Sequence, residues 1–154
     1  MADKDSVIMY KKLSETLDGL GFKYESDDMR LKATTTVNCG GQPLTMSVQI
    51  DDNKKLVFCH AELNIEVTEE LRKSFAQGVC MVNMRLKDGS FDMSPKSGKC
   101  VFRMTSNFRD SIVGRELLEY VILVASKIID VYIGKLLMLA DGKMTLEEFK
   151  TALK

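Results

Sequence analysis

The longest helical pattern in the chain covers residues 111–139, and it constrains the fold more than any other stretch. It contains no proline, and its only interior glycines are Gly114 and Gly134. Apolar residues recur at every third or fourth position, which is typical of an amphipathic helix. Residues 121–125 are apolar without interruption. A helix that is apolar on all sides must be buried on all sides, so one sheet face alone is too little cover for it.

The surplus apolar surface of this helix predicts a second copy of the chain packed against it. Lys plus Arg number 22 and Asp plus Glu number 22, so the net charge is zero and does not oppose self-association. We therefore expect a homodimer. The second apolar line along the helix is the predicted subunit contact, and it consists of Leu118, Ile122, Ala125, Ile129 and Ile133.

The rest of the chain alternates between helical and strand patterns. Strict apolar–polar alternation, as in residues 29–39, is typical of a strand with one buried face, and short turns between such strands favour an antiparallel meander. Strands are predicted at 22–25, 29–39, 44–50, 56–63, 90–94 and 99–105, and helices at 6–20, 68–86 and 111–139 and from Thr145, which opens a capping box with Glu148. We predict one α+β domain over residues 1–154, an antiparallel sheet of a meander plus a hairpin, packed on one face by helices including the long C-terminal one.

Composition and charge exclude several classes of function. The first ten residues have no apolar core of a secretory signal, and the longest apolar run is far shorter than the roughly 20 residues that span a bilayer. A neutral chain without a basic stripe is a poor nucleic-acid binder. We expect a cytoplasmic protein that binds neither membrane nor nucleic acid.

The sequence shows no catalytic constellation, and we expect neither an enzyme nor a cofactor. Its four cysteines form no C-x-x-C clip of the kind that zinc sites use, so they are predicted to be buried small hydrophobes. His60 follows Cys59 on a predicted strand, where neighbouring side chains point to opposite faces and cannot form a nucleophile pair. The stretch 141–149 is similar to half of an EF-hand, but the aliphatic Leu137 and Leu139 occupy ligand positions, so no metal site is predicted.

The C-terminal half contains a series of short motifs, Val82-Asn83-Met84, Gly89-Ser90-Phe91-Asp92-Met93, Gly98-Lys99-Cys100-Val101-Phe102-Arg103, Asp130-Val131-Tyr132, Gly142, Thr145, Glu147 and Glu148. With these motifs and with the order of elements along most of the chain, the sequence resembles the YbjN family and the structurally similar type III secretion chaperone-like domains. The resemblance implies a fold with helices packed on an antiparallel sheet, often dimeric, that binds other polypeptides or has no assigned activity. The secretion chaperones of this shape are typically acidic and this chain is neutral, so the resemblance favours a chaperone-like or regulatory relative.

Three functions are left open by the residues. The leading hypothesis is a non-enzymatic homodimeric interaction module that binds a protein or peptide, either at an exposed strand edge or in an apolar groove beside the sheet. The alternative is a small-molecule-binding sensory domain with a pocket between the sheet and the long helix, lined by methionines and Phe102. A thiol enzyme that uses Cys59 or Cys100 is the third, and it requires a lowered cysteine pKa.

Overall fold

The computed structural model describes residues 1–111 and 113–154. The elements are α1 (Lys4–Gly19), β1 (Tyr24–Asp27), β2 (Lys32–Cys39), β3 (Gln42–Asp51), β4 (Leu56–Glu66), α2 (Arg72–Asn83), β5 (Ser90–Met93), β6 (Lys99–Asn107), α3 (Arg115–Ala140) and α4 (Leu146–Ala152). A single 3-10 turn at Glu69–Leu71 leads into α2. Among the helices of the described residues, none combines the length and hydrophobicity that crossing a membrane requires.

The strands form one six-stranded sheet in the order β1-β2-β3-β4-β6-β5, with every neighbouring pair antiparallel. The first four strands form the predicted meander, and β5 and β6 form the predicted hairpin. The hairpin joins the meander through β6, which pairs with β4, so β1 and β5 are the two edges. The prediction of an α+β fold with a meander and a hairpin is confirmed.

Alternation along the strands separates a buried face from an open one. In β3, for example, Leu44, Met46 and Val48 are buried, while Thr45 between them is exposed. Helices α1, α2 and α3 all pack on the buried face, and α3 lies between the other two, in contact with both. The long helix is therefore the centre of the helical layer. Its position determines which of its faces is buried against the sheet and which is exposed to solvent.

Two helices begin at other residues than the sequence pattern predicts. Asp3, and not Ser6, caps α1, because its carboxylate accepts the Ser6 N–H at 2.9 Å and Ser6 is buried within the first turn. The long helix begins at Arg115, four residues after the predicted start, with Gly114 at its N-cap. Ile112, which belongs to the predicted helix, lies outside the described residues.

The second helix and the first strands are also shifted. The helix predicted over 68–86 is a 3-10 turn followed by α2, and it ends at Asn83, three residues earlier than predicted. Strand β1 begins two residues later than predicted. Met29 was predicted to begin the second strand, but it lies in the turn between β1 and β2 and is 95% exposed. The apolar–polar alternation of the sequence therefore starts before the strand does.

The last helix follows its prediction. Thr145 and Glu148 form the capping box in both directions, with the Thr145 hydroxyl accepting the Glu148 N–H at 3.2 Å and Glu148 accepting the Thr145 N–H at 2.8 Å. Phe149 is fully buried against α2, beside Gly78. Helix α4 therefore closes the end of the α2–α3 pair.

Candidate functional site

The inward face of α3 is covered by the chain itself. Leu118, Ile122, Ala125, Ile129 and Ile133, the predicted subunit contact, are each 0–1% exposed. They pack on the inner sides of β2, β4 and β6. A second folded copy has no access to side chains in this position, so the surface of α3 that is available for a dimer lies elsewhere on the helix.

The opposite face of α3 carries a line of residues that point away from the core. We call this line the α3 ridge, and it consists of Tyr120, Leu123, Lys127, Val131, Gly134 and Met138. These positions recur every three or four residues, so they lie one above another on a helix. The four large apolar members, Tyr120, Leu123, Val131 and Met138, are 42–47% exposed. The ridge is thus an apolar stripe about 27 Å long, at 1.5 Å per residue, with one charge at its middle.

Gly134 has no reason within the described part of the chain to be a glycine. A Cβ added there meets nothing within 4 Å, whereas a Cβ added at Gly78 of α2 overlaps Leu139. Glycine in a helix interior costs about 1 kcal/mol relative to alanine. A glycine that lies on an exposed helix face allows another backbone to come close.

A second apolar surface lies between α2 and β5. Ala76, Val79, Cys80, Asn83, Met84, Phe91, Asp92 and Met93 line a shallow groove of about 580 Å³, which we call the α2–β5 groove. Its floor is apolar. Met84 at one end is 83% exposed. Methionine has a flexible thioether side chain that adapts to irregular apolar partners.

Hydrogen bonds fix α2, which forms one side of the groove. The Arg72 guanidinium at the start of α2 donates to the carbonyl oxygens of Pro95 and Lys96 at 3.3 and 3.1 Å. At the other end of α2, the Asn83 amide donates to the Phe91 carbonyl and accepts the Phe91 N–H, both at 2.9 Å. The groove lies along α2 from Ala76 onwards, and hydrogen bonds hold α2 to the β5–β6 hairpin near both of its ends.

Asn83 also blocks the outer edge of β5 at its middle. Phe91 lies opposite Phe102 on β6, and its own N–H and C=O point away from β6, where the Asn83 side chain bonds both. An unpaired strand edge invites the addition of a further strand, and proteins block such edges in this way. The other edge, β1, is four residues long with the sequence Tyr-Glu-Ser-Asp, which offers little apolar surface. The groove is therefore a better candidate for a binding site than either strand edge.

Charge is distributed unevenly around the groove. Residues 72–103 contain seven basic and two acidic residues, a net charge of +5, and the remainder of the chain carries −5. The basic residues are Arg72, Lys73, Arg85, Lys87, Lys96, Lys99 and Arg103. Both acids have partners: Asp92 forms an ion pair with Arg103, and Asp88 accepts a hydrogen bond from the Tyr120 hydroxyl. The segment that contains the groove thus carries a net positive charge within a neutral chain.

The cysteines do not form a reactive site. Burial raises the pKa of both Cys59 and Cys100 to about 12, and it also raises the pKa of Cys39. A raised pKa is the reverse of what a thiolate nucleophile requires, so the thiol-enzyme hypothesis has no support at these positions. Cys80 is exposed in the groove. In the ranges 1–111 and 113–154, no three His, Cys, Asp or Glu side chains lie together as a metal ion needs.

The fold has known relatives among solved structures. The crystal structure of YbjN from E. coli matches with a TM-score of 0.62 at 15% identity, covering 87% of this chain and 92% of that one. The HopA1–SchA chaperone–effector complex contains a chain that matches with a TM-score of 0.62 at 9% identity, covering 87% and 99%. The ExsC–ExsE complex contains one with a TM-score of 0.55 at 12% identity, covering 81% and 90%.

The resemblance to YbjN and to the secretion chaperone-like fold is thereby confirmed in three dimensions. The sequence matches no protein-family model and no curated protein. At 9–15% identity, the similarity concerns the fold.

The subunit contact predicted from the sequence consists of side chains that the structure buries against its own sheet. The ridge was readable as residues spaced three or four apart, yet a helix that is apolar all round does not reveal which side its own sheet takes. The groove residues lie in the stretch that carries the family resemblance, from Val82 to Met93, but their burial pattern and the Asn83 contacts appear only in the structure.

Proposed function

We propose that this protein is a non-enzymatic, homodimeric, chaperone-like module of the cytoplasm that binds another polypeptide. The observation that carries the proposal is the α2–β5 groove, an apolar surface with a highly exposed methionine. Exposed apolar surface of this kind marks sites of protein–protein contact. The chaperone–effector complex among the structural neighbours supports the same role.

The ridge supports the homodimer. A C2 dimer uses the same patch on both subunits, so residues pair reciprocally. If two α3 helices cross antiparallel about an axis between residues 128 and 129, Leu123 of each copy lies opposite Gly134 of the other. Tyr120 then lies near Met138 of the other copy. A large side chain of the ridge, Leu123, thus falls at its smallest residue, Gly134, which allows the two helices to pack closely.

Charges on α3 fit the same arrangement. Lys127 of each copy lies opposite Asp130 of the other, so the central positive charge of the ridge meets a carboxylate. Asp130 is exposed, and one of its oxygens accepts the Gly40 N–H at 2.8 Å, which orients the carboxylate beside the ridge. Opposite charges that recur twice in an interface fix the register of the two helices.

Selection of peptides from a displayed random library tests polypeptide binding. Peptides that bind the wild-type protein are counter-tested on Met84→Glu, which places a charge at the groove. Met29→Glu is the matched control, because Met29 is similarly exposed but lies in the β1–β2 turn, near the opposite edge of the sheet from β5. We expect binders that lose affinity for Met84→Glu and keep it for Met29→Glu. A library that yields no binder, or binders equally affected by both variants, contradicts the proposal.

The sensory-domain alternative places a pocket between the sheet and α3. The side chains there are packed against one another: Phe102, Met46 and Met104 are 0–4% exposed. No specific observation favours a ligand in this layer, so the alternative stays a prediction, which a thermal-shift screen of metabolites tests.

A further inference from the structure

We propose that the partner segment of the α2–β5 groove is an acidic amphipathic helix. This inference rests on the proposed polypeptide-binding function and adds the chemistry of the partner. It combines three features of the groove: an apolar floor, a positive rim and a capped strand edge.

The rim carries positive charge that the chain does not neutralise. Lys73, Arg85, Lys87 and Lys96 are all exposed, and across the described ranges none of them takes part in a salt bridge. Lys73 lies at the start of α2 and Lys87 just beyond its end, so positive charge flanks both ends of the groove. A partner with carboxylates on both sides of an apolar stripe matches this distribution, and the match favours its association and its orientation.

The capped edge decides the conformation of the partner. A strand that lay along β5 would need the backbone groups of Phe91, and the Asn83 side chain already bonds both of them at 2.9 Å. A bound extended segment would then bury unpaired backbone groups of its own, which costs free energy. A helix satisfies its backbone internally and contributes side chains only.

The length of the groove fits a short helix. From Ala76 to Met84, the lining of the groove extends about 12 Å at 1.5 Å per residue. A partner helix of roughly three turns covers this length and presents apolar side chains at i, i+3 or i+4, and i+7. These side chains would reach the floor near Val79, Phe91 and Met93.

A nucleic acid is the other polyanion that a positive rim attracts. Nucleic-acid sites combine basic residues with exposed aromatic platforms or phosphate contacts along a groove. Here the single aromatic of the floor, Phe91, is 1% exposed and packs edge-on against Phe102, with ring centroids 4.9 Å apart. The apolar floor therefore favours a protein partner.

The test compares two designed 20-residue helical peptides with an identical leucine stripe. One has glutamate and the other lysine at its polar positions, and both carry a fluorescent label for anisotropy titration at about 50 mM and about 0.5 M salt. We expect the acidic peptide to bind at least about tenfold more tightly at low salt, with the difference falling as salt screens the rim. A labelled single-stranded oligonucleotide is titrated in the same way.

Charge-reversal variants locate the contact. Lys73→Glu combined with Lys87→Glu is expected to weaken the acidic peptide about tenfold. The matched control is Lys4→Glu combined with Lys23→Glu, which makes the same change in net charge on α1 and before β1, and it should leave affinity within about twofold. A change in helicity of the acidic peptide on binding, followed by circular dichroism, checks its conformation.

Each outcome decides between the alternatives. Equal or tighter binding of the basic peptide, loss of affinity in both double variants, or preference for the oligonucleotide overturns the acidic-helix inference. Binding without a gain in helicity overturns the helical part. If neither peptide binds, the inference fails, and the peptide-display experiment separately decides whether polypeptide binding fails with it.

Discussion

The two faces of α3 are built from the same kinds of residue and have opposite surroundings. Ile129 on the inward face is fully buried against the sheet, while Val131, two positions further on, is 47% exposed on the ridge. Both are β-branched, apolar and in the same helix. The comparison teaches that apolar periodicity predicts a helix that packs on other elements, but does not tell which side the chain buries and which side it leaves exposed.

The largest expected effect on stability comes from shortening a side chain on the inward face of α3. Ile129→Ala should lower the free energy of unfolding by about 2–5 kcal/mol, because it removes a fully buried side chain and leaves a cavity. Denaturant unfolding measures this loss, which should be the same at every protein concentration. Val131→Ala is the matched variant on the ridge. The effect of Val131→Ala on stability should shrink as the protein is diluted, since it acts only on the dimer. A loss of stability that is independent of protein concentration would contradict a dimer contact at Val131.

Two helical glycines give the next contrast. Gly78→Ala should destabilise the protein by about 1–3 kcal/mol, because the new Cβ overlaps Leu139 and lies 3.3 Å from Phe149 Cε1. Gly134→Ala meets open space and should stabilise the isolated chain by up to about 1 kcal/mol through higher helix propensity. Thermal unfolding of dilute protein compares the two. If Gly134→Ala also strengthens the dimer, Gly134 is not a point of close approach.

An acid-sensitive contact lies far from both faces, where the β3–β4 turn holds the start of α1. Lys55 forms ion pairs with Asp3 and Asp52, and hydrogen bonds from its ammonium group are the main cause that lowers the pKa of both carboxyls below their usual 3.8. A lowered folded-state pKa means that the contact contributes stability above the unfolded pKa and loses it as the pH falls below about 3.8.

Lys55→Ala removes that contact and tests the direction of its pH dependence. The stability difference between wild type and Lys55→Ala should be constant near neutral pH and should decrease progressively as the pH falls below about 3.8. Denaturant unfolding at a series of pH values measures it. Since all three side chains are partly exposed, added salt should also reduce the difference. A difference that grows on acidification would contradict the assigned ion pairs.

The smallest structural effect is expected from the cysteines. Cys80 is exposed in the groove and should be alkylated rapidly in the folded protein without unfolding it. Cys39, Cys59 and Cys100 are buried, with raised pKa values, and should react only as fast as the chain opens. Mass spectrometry of protein quenched at successive times counts the modified sites. Rapid modification of Cys59 or Cys100 would show that the core opens at the sheet.

Much of the fold could be predicted because local chemistry carries it. Alternation in β2 and β3, the turn residues between them and the Thr145–Glu148 capping box are encoded within a few positions of one another. Helix starts were less accurate because several residues compete for one cap. Asp3 and Ser6 can both serve, and the packing of Ser6 into the core leaves the role to Asp3.

The candidate surfaces could be predicted only in part. The charge of residues 72–103 is visible in the sequence, but its meaning depends on α2 and β5 lying side by side. Asn83 is the clearest case: nothing in the sequence indicates that its amide bonds the backbone of Phe91, eight residues away, and so blocks the edge of the sheet at the middle of β5. The side of α3 that stays exposed is likewise decided by long-range packing.

The central claim is that a second copy covers the ridge, and the molar mass in solution tests it most directly. Light scattering after size exclusion should give about twice the chain mass of 17.3 kDa for the wild type. Leu123→Asp combined with Val131→Asp should give 17.3 kDa with an unchanged circular dichroism spectrum, because the added charges lie on an exposed face. A wild-type monomer at the highest accessible concentration, or a dimer that survives both substitutions, would contradict the claim.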